Sequence, residues 1–191
     1  MKFIPQSIPD VVLCQPKVHG DHRGYFTETF RQDLFEEAVG HKVDFVQDNE
    51  SSSTRGVLRG LHFQLAPHAQ SKLVRVIKGA VLDVAVDIRK GSPTFGQHVV
   101  AELTEENKHQ LFVPRGFAHG FVVLSEQAIF AYKVDNYYSP ECDRGLAWDD
   151  PAIGIDWHIA TEQVLLSEKD TRQPKLAELK ETFDYGVDYY A

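Results

Sequence analysis

Cysteine is scarce in this sequence: Cys14 and Cys142 are the only two, and they lie far apart. They form neither a CxxC pair nor a disulfide framework, a usage that fits a reducing cytoplasm. No apolar run approaches the roughly 20 residues needed to span a bilayer. The N-terminus, Met-Lys-Phe-Ile-Pro-Gln-Ser-Ile-Pro, lacks the apolar stretch of a secretory signal. No membrane partner is expected. Basic charge is also in deficit, with 20 Lys and Arg against 28 Asp and Glu and a formal net charge of −8. Nucleic-acid binding relies on a basic surface, so an acidic chain is a poor candidate for it. A small anion can still be held where a few arginines converge. Internal repeats, low-complexity segments and charged linkers are missing as well. The 191 residues are therefore expected to form one domain spanning 1–191.

Helix is sparse and strand is abundant. Leu82, Val84, Val86 and Ile88 alternate with Val81, Asp83, Ala85 and Asp87, the period-two pattern of a strand with one apolar face. Similar runs are Lys72–Ile77, His98–Leu103, His109–Val113, Phe117–Val123 and Ala128–Val134. Turn residues separate them: Lys78-Gly79, Lys90-Gly91-Ser92-Pro93, Glu105-Glu106-Asn107 and Ser125-Glu126-Gln127. Short strands at this spacing predict an antiparallel sandwich or barrel. One short helix is expected over Gln32–Val39, with Leu34, Phe35 and Ala38 on one side and Gly40 as its stop. Another helical stretch is expected near Lys175–Glu181, from its Ala-Glu-Leu-Lys-Glu composition after Pro174. The fold expected is all-β with a few short peripheral helices.

Two stretches carry chemistry-bearing residues. Pro114-Arg115-Gly116-Phe117-Ala118-His119-Gly120-Phe121 resembles the second motif of the cupin jelly rolls (the double-stranded β-helix), where the Gly makes a turn and the His points inward. In many cupins that His binds a metal beside an earlier His-x-His pair. Here the matching place reads His62-Phe63-Gln64, so the second His is missing. Two imidazoles with no nearby carboxylate fall short of the three protein ligands usual for catalytic zinc or iron. No metal or other cofactor is expected. Taken alone, His119 reads equally as a barrel-interior histidine satisfied by a hydrogen bond.

The wider set is ordered. Asp21-His22-Arg23-Gly24-Tyr25-Phe26-Thr27-Glu28, Gln47-Asp48-Asn49, Arg59-Gly60-Leu61-His62, Lys72, Tyr132 and Ser167-Glu168-Lys169-Asp170 follow one another along the chain. With the Pro-x-Gly-x-x-His run, they resemble the dTDP-4-dehydrorhamnose 3,5-epimerase family, cupin enzymes of dTDP-L-rhamnose synthesis. The resemblance covers nearly the whole chain. It implies a jelly roll, no cofactor, a dTDP-sugar substrate and a homodimer. Inverting carbons beside a ketone needs a base, a group to hold the enolate oxygen, and an acid on the other face. His62 suits the base, since imidazole titrates near working pH. The resemblance supplies Asp170 to orient it, Lys72 to hold the enolate and Tyr132 as the opposite acid. It also places Arg23 and Arg59 on the diphosphate, a role to which forked guanidinium groups are suited. Glu28, Gln47, Asn49, His119, Asp143 and Lys169 are assigned to the substrate rim, and Phe26 and Tyr138 to packing on the thymine or the sugar.

Each residue also has a plainer reading: a solvated Lys72, a core Tyr132, a capping Asp170, a satisfied His62. Only the combination favours catalysis. The sequence departs from the family at Asp143, where a glutamate is usual, which puts that contact in doubt. Arg59 and His62 are three apart, so a regular strand would aim them at opposite faces. Gly60 could form a bulge that re-aims one, or one of the two could serve a neighbouring subunit. Strand exchange at a dimer would suit Phe26–Thr29. A single-site 3- or 5-epimerase, a metal cupin and a sugar- or nucleotide-sensing module are the alternatives. The Tyr185-Gly186-Val187-Asp188-Tyr189-Tyr190 tail is left open: it could dock on the barrel, dock on a partner, or fray.

Overall fold

A computed structural model describes residues 1–191. The strands in chain order are β1 (Lys2–Pro5), β2 (Val12–Gln15), β3 (Val18–Asp21), β4 (Gly24–Thr27), β5 (Gln47–Thr54), β6 (Leu58–Gln64), β7 (Lys72–Lys78), β8 (Ala80–Asp87) and β9 (Arg89–Lys90). They continue as β10 (His98–Thr104), β11 (Gln110–Val113), β12 (Phe117–Val123), β13 (Gln127–Val134), β14 (Asp143–Gly145) and β15 (Phe183–Asp184). The one α-helix, α1, spans Gln32–Val39. A six-stranded sheet, ordered β1-β2-β11-β7-β13-β5, faces a five-stranded sheet, ordered β10-β8-β12-β6-β14. From β5 to β8, and again from β10 to β14, successive strands alternate between the two sheets, which gives the sandwich predicted from turn spacing the jelly-roll form that the family resemblance implies.

Every strand predicted from alternation is present to within a residue or so. β5 was not predicted, because Gln-Asp-Asn-Glu-Ser-Ser-Ser-Thr has no apolar member. Its burial still alternates: Gln47, Asn49, Ser51 and Ser53 turn inward while their neighbours are exposed. Pairing with β13 sets Asn49 opposite Tyr132 and Ser51 opposite Phe130, on the inner face. A polar strand inside a barrel marks a lined cavity rather than a packed core.

Between the sheets lies a cluster that includes Val74, Val81, Ala85, Leu111, Phe121 and Phe130. The apolar face of β8 (Leu82, Val84, Val86), continued by Ile88, points the other way, outward, against Leu146, Ile153, Trp157 and Phe183 of the C-terminal third. The Asp-bearing face of β8 therefore looks into the barrel. Helix α1 covers the outside of the six-stranded sheet through Phe35, packed on Val12, Leu73 and Phe112. Gly40 ends it in the left-handed region at φ 80°, with its N–H on the Glu36 carbonyl. Ala38 is exposed and does not share the Phe35 face, so the buried stripe is narrower than predicted. The helical stretch predicted near Lys175–Glu181 shrinks to one 3-10 turn, Leu176–Glu178, because its backbone is drawn to Asp150, whose carboxylate accepts the Leu176 N–H at 2.7 Å. No helix is long and apolar enough to cross a membrane.

Candidate active site

Strand β6 breaks the rule of alternation at one point. Its register on β12 runs His62 opposite His119 and Arg59 opposite Phe121, so one strand takes an extra residue. The bulge is possible because Gly60 sits at φ 130° and stacks on Gly120; a Cβ on Gly60 would lie 2.6 Å from the Gly120 Cα. Leu58, Leu61 and Phe63 then pack outward, while Arg59 and His62 both reach the interior cavity. The geometric conflict between these two positions is resolved within one chain.

That cavity, about 440 Å³, is lined by Arg59, His62, Lys72, His119, Tyr132 and Asp170, with Glu50, Ser51, Phe121, Phe130 and Leu165–Ser167 closing its walls. His62 Nε2 is 2.6 Å from Asp170 Oδ1. Asp170 opens a 3-10 turn (Asp170–Arg172), its N–H bonded to the Ser167 carbonyl, and its side chain is only 3% exposed against 30% for His62. Burial raises the Asp170 carboxyl, but its bonds to His62, Ser167 and the Gly60 amide outweigh that and hold it below the usual range. It is therefore an anion beside the imidazole.

Lys72 and Tyr132 reach the same space from the opposite sheet, Lys72 as the first residue of β7 and Tyr132 on the inner face of β13. Burial brings the Lys72 amine down to about 8, partly countered by Asp83 and Asp143. Burial raises the Tyr132 phenol, against the pull of Arg59. The cavity thus holds an imidazole backed by a carboxylate on one side, and an ammonium and a protonated phenol on the other.

His119 is buried and satisfied. Its Nε2 meets Asp83 Oδ1 at 3.0 Å and Oδ2 at 2.9 Å. Burial pushes the imidazole down and the Asp83 carboxyl up, so the pair is driven toward neutrality. His119 lies on the cavity wall and is also the hydrogen-bonded interior histidine of the plainer reading. Each inward imidazole is committed to its own carboxylate, and no group of three His, Cys, Asp or Glu side chains converges as metal ligands would.

A second hollow of about 390 Å³ adjoins the first and shares His62, Lys72 and Tyr132 with it. Gln47, Asn49, Tyr138, Asp143 and Lys169 line it. Gln47 Nε2 donates to Asn49 Oδ1 at 2.8 Å, Lys169 pairs with Asp143, and the Tyr138 hydroxyl donates to the same carboxylate at 3.3 Å. The aspartate that replaces the expected glutamate is thus tied to the rim by two neighbours.

Three predicted residues are not brought to the cavity. Arg23 and Phe26 sit on the β3–β4 hairpin, which pairs with neither main sheet. Arg23 is 78% exposed and bonded to Asp21, and Phe26 is 71% exposed. Glu28 lies just beyond, exposed. The roles the family resemblance implies for these three residues are therefore not met by contact within one chain. Conversely, Leu165 and Leu166 line the cavity, and Asp83 and Ser53 bond to residues of its wall, though none of the four was predicted. Asp83 carried a legible signal, a carboxylate amid the valines of β8. Ser53, which accepts the Arg59 Nε–H at 3.1 Å, carried none.

A carboxylate-backed imidazole facing an ammonium and a phenol, across the interior of a jelly roll, is an arrangement suited to acid–base epimerisation beside a ketone. The family model for dTDP-4-dehydrorhamnose 3,5-epimerase matches residues 5–178, and the chain belongs to that family. A dTDP-4-dehydrorhamnose 3,5-epimerase of Shigella flexneri is 57% identical over 178 residues, 93% of this chain and 97% of that protein. The crystal structure of a dTDP-6-deoxy-D-glucose-3,5-epimerase of Legionella pneumophila, in complex with dTDP-4-keto-L-rhamnose, superposes with a TM-score of 0.92 at 48% identity, covering 97% of this chain and 99% of that one. A 3'-monoepimerase from Streptomyces bikiniensis, in complex with dTDP-quinovose, gives 0.85 at 36% identity, over 91% and 87% of the two chains.

Proposed function

We propose that this cavity inverts C3 and C5 of dTDP-4-dehydro-6-deoxy-D-glucose to give dTDP-4-dehydro-L-rhamnose. The observation that carries the reading is the placement of His62 on one sheet and of Lys72 and Tyr132 on the other, around one space. His62 removes a proton from the carbon beside the ketone, and the bonding pair moves onto the C4 oxygen. The Lys72 ammonium stabilises that enolate oxygen. Asp170 holds the imidazole in one tautomer and offsets the charge it gains. Tyr132 returns a proton from the opposite face, which inverts the centre. Arg59 at the cavity mouth binds the diphosphate. Gln47, Asn49, Tyr138, Asp143 and Lys169 receive the outer part of the sugar nucleotide, and His119 fixes the wall beside it.

Arg23, Phe26 and Glu28 serve a neighbouring copy in this reading, within a homodimer. The support is the hairpin itself: it projects from the barrel with Tyr25 and Phe26 exposed and a guanidinium at its tip. Exposed aromatic rings beside an arginine suit a nucleotide base and its phosphates. The reaction is placed in the cytoplasm, in keeping with free Cys14 and Cys142.

The test is incubation of enzyme and substrate in D₂O, with mass and NMR analysis of C3 and C5. Deuterium is expected at both carbons. Its absence from both overturns the epimerase reading, and its presence at one alone assigns the chain to the monoepimerases.

A further inference from the structure

The tyrosine-rich tail lies beyond the family match, which ends at residue 178. It does not fray. Strand β15 pairs in parallel with β9, and the Tyr185 N–H donates to the Lys90 carbonyl at 2.9 Å. Phe183 is buried, with the Tyr189 ring edge-on at 4.9 Å. The chain then turns so that Tyr190 lies 4.1 Å from the His41 ring, beside α1. Arg115 receives this end. Its Nη1 donates to the Tyr189 carbonyl, its backbone N–H donates to the Tyr190 hydroxyl at 3.1 Å, and its guanidinium lies 4.8 Å from the Tyr190 ring centre.

The same guanidinium also reaches toward the residues that flank Lys72. Its Nε donates to Asp135 Oδ2 at 3.0 Å, and Asp135 Oδ1 accepts the Ser71 N–H at 2.7 Å. The Asp135 side chain is 2% exposed, so both bonds act away from water. These residues abut three strand ends at one level. Lys72 is paired with Val113 of β11 and Val134 of β13. Ser71 precedes Lys72, Asp135 follows Val134, and Arg115 stands two places after Val113. The knot therefore ties the ends of β11, β7 and β13 at the position where the ammonium enters the cavity.

We infer that the C-terminal Tyr189–Tyr190 segment is a clasp that positions Lys72 for catalysis, acting through Arg115 and Asp135. Arg115, Asp135 and Tyr190 are positioning residues. The inference rests on the enolate-holding role given to Lys72 above. Without the clasp, the start of β7 relaxes and Lys72 moves toward water. A displacement on the order of 1 Å in a catalytic group can cost up to about 100-fold in rate.

The experiment compares wild type, a chain lacking residues 189–191, Tyr190→Phe and Asp135→Asn, each normalised to intact sites by titration with dTDP. For the truncated chain and Asp135→Asn, kcat is expected to fall about 10- to 100-fold with KM held within about twofold. Tyr190→Phe keeps the ring over Arg115 and is expected to retain most of the rate. The alkaline limb of kcat/KM, set by Lys72, should move to higher pH in the two damaged variants as the amine is rehydrated. A lower melting temperature with unchanged kcat per intact site would make the clasp merely structural and overturn the inference. So would a rise in KM at constant kcat. Wild type that exchanges no solvent deuterium would sink the functional reading itself, a result separate from an active wild type whose truncated form is equally active.

Discussion

Asp170 Oδ1 and His62 Nε2 are 2.6 Å apart although 108 positions separate the two residues along the chain. The C-terminal third, wrapped over the outside of the five-stranded sheet, returns to the barrel mouth to deliver this one carboxylate. Asp170→Asn keeps the shape and removes the charge that balances an imidazolium. We predict a fall in kcat of about 10²–10⁴-fold with dTDP affinity unchanged. Steady-state kinetics beside calorimetric titration decides it; a loss under threefold would remove Asp170 from the mechanism.

Tyr132 and His62 approach from opposite sheets, which in the proposed reaction separates proton removal from proton return. In Tyr132→Phe the base is intact, so a proton can leave and come back on the same face. Deuterium should enter the substrate from D₂O while inversion at that carbon drops by about 10²-fold or more. NMR reads both quantities in one tube. Loss of exchange and inversion together would place Tyr132 in the first step instead of the second.

The lowered Lys72 amine predicts a pH dependence. Its cation is present below about 8 and is lost as pH rises through that value. Because kcat/KM reports the free enzyme, it should decline above pH about 8. Lys72→Arg keeps the charge to far higher pH, so its residual activity should lack this limb. A wild-type profile flat to pH 10 or so, near an ordinary lysine, would contradict the assignment.

Gly60 and Gly120 meet face to face at the β6 bulge. Gly60→Ala puts a methyl 2.6 Å from the Gly120 Cα at a φ of 130°. The expected cost is about 3 kcal/mol. That corresponds to a melting temperature lower by about 6–12 °C for a chain of this size. Surviving folded protein should lose turnover as well, because Arg59 and His62 are both aimed by the bulge. Thermal melts and rates per folded site check this; a variant as stable as wild type would mean the strands shift freely.

If the β3–β4 hairpin serves a neighbouring copy, two dead chains can repair each other. His62→Asn supplies a sound hairpin, and Arg23→Ala supplies a sound cavity. Refolded together at equal amounts, they should recover about one quarter of wild-type sites by random pairing of two-fold dimers. Each variant alone stays low. No recovery on mixing, with dimers present by sedimentation, would confine Arg23 to its own chain.

The strands with apolar alternation, from β7 to β13, were legible because one buried face leaves a period-two trace. So was α1 with its Gly40 stop. Strand β5 was not, since its inward residues line a cavity and are as polar as its outward ones. The site was legible as a set of residue types in order, from His62 to Asp170. What sequence left open was where the hairpin goes and how Arg59 and His62 share a cavity. For the second, Gly60 was a legible bulge candidate, but its packing on Gly120 from another strand is a tertiary fact without a local signature. The aspartate at position 143 leaves a substrate contact in doubt; Lys169 and Tyr138 hold its carboxylate at the rim.

Wrapping the last third of the chain over the barrel has a consequence for biosynthesis. Domains form as the ribosome releases them, N-terminal parts first. Both sheets can assemble their long strands once β13 has emerged, with His62, Lys72 and Tyr132 already in place. Asp170 is still unmade at that point, and the tyrosines that grip Arg115 come later still. A chain cut short after β13 therefore lacks both the carboxylate that backs His62 and the residues that cover the outer apolar face of β8, and would yield a silent cavity.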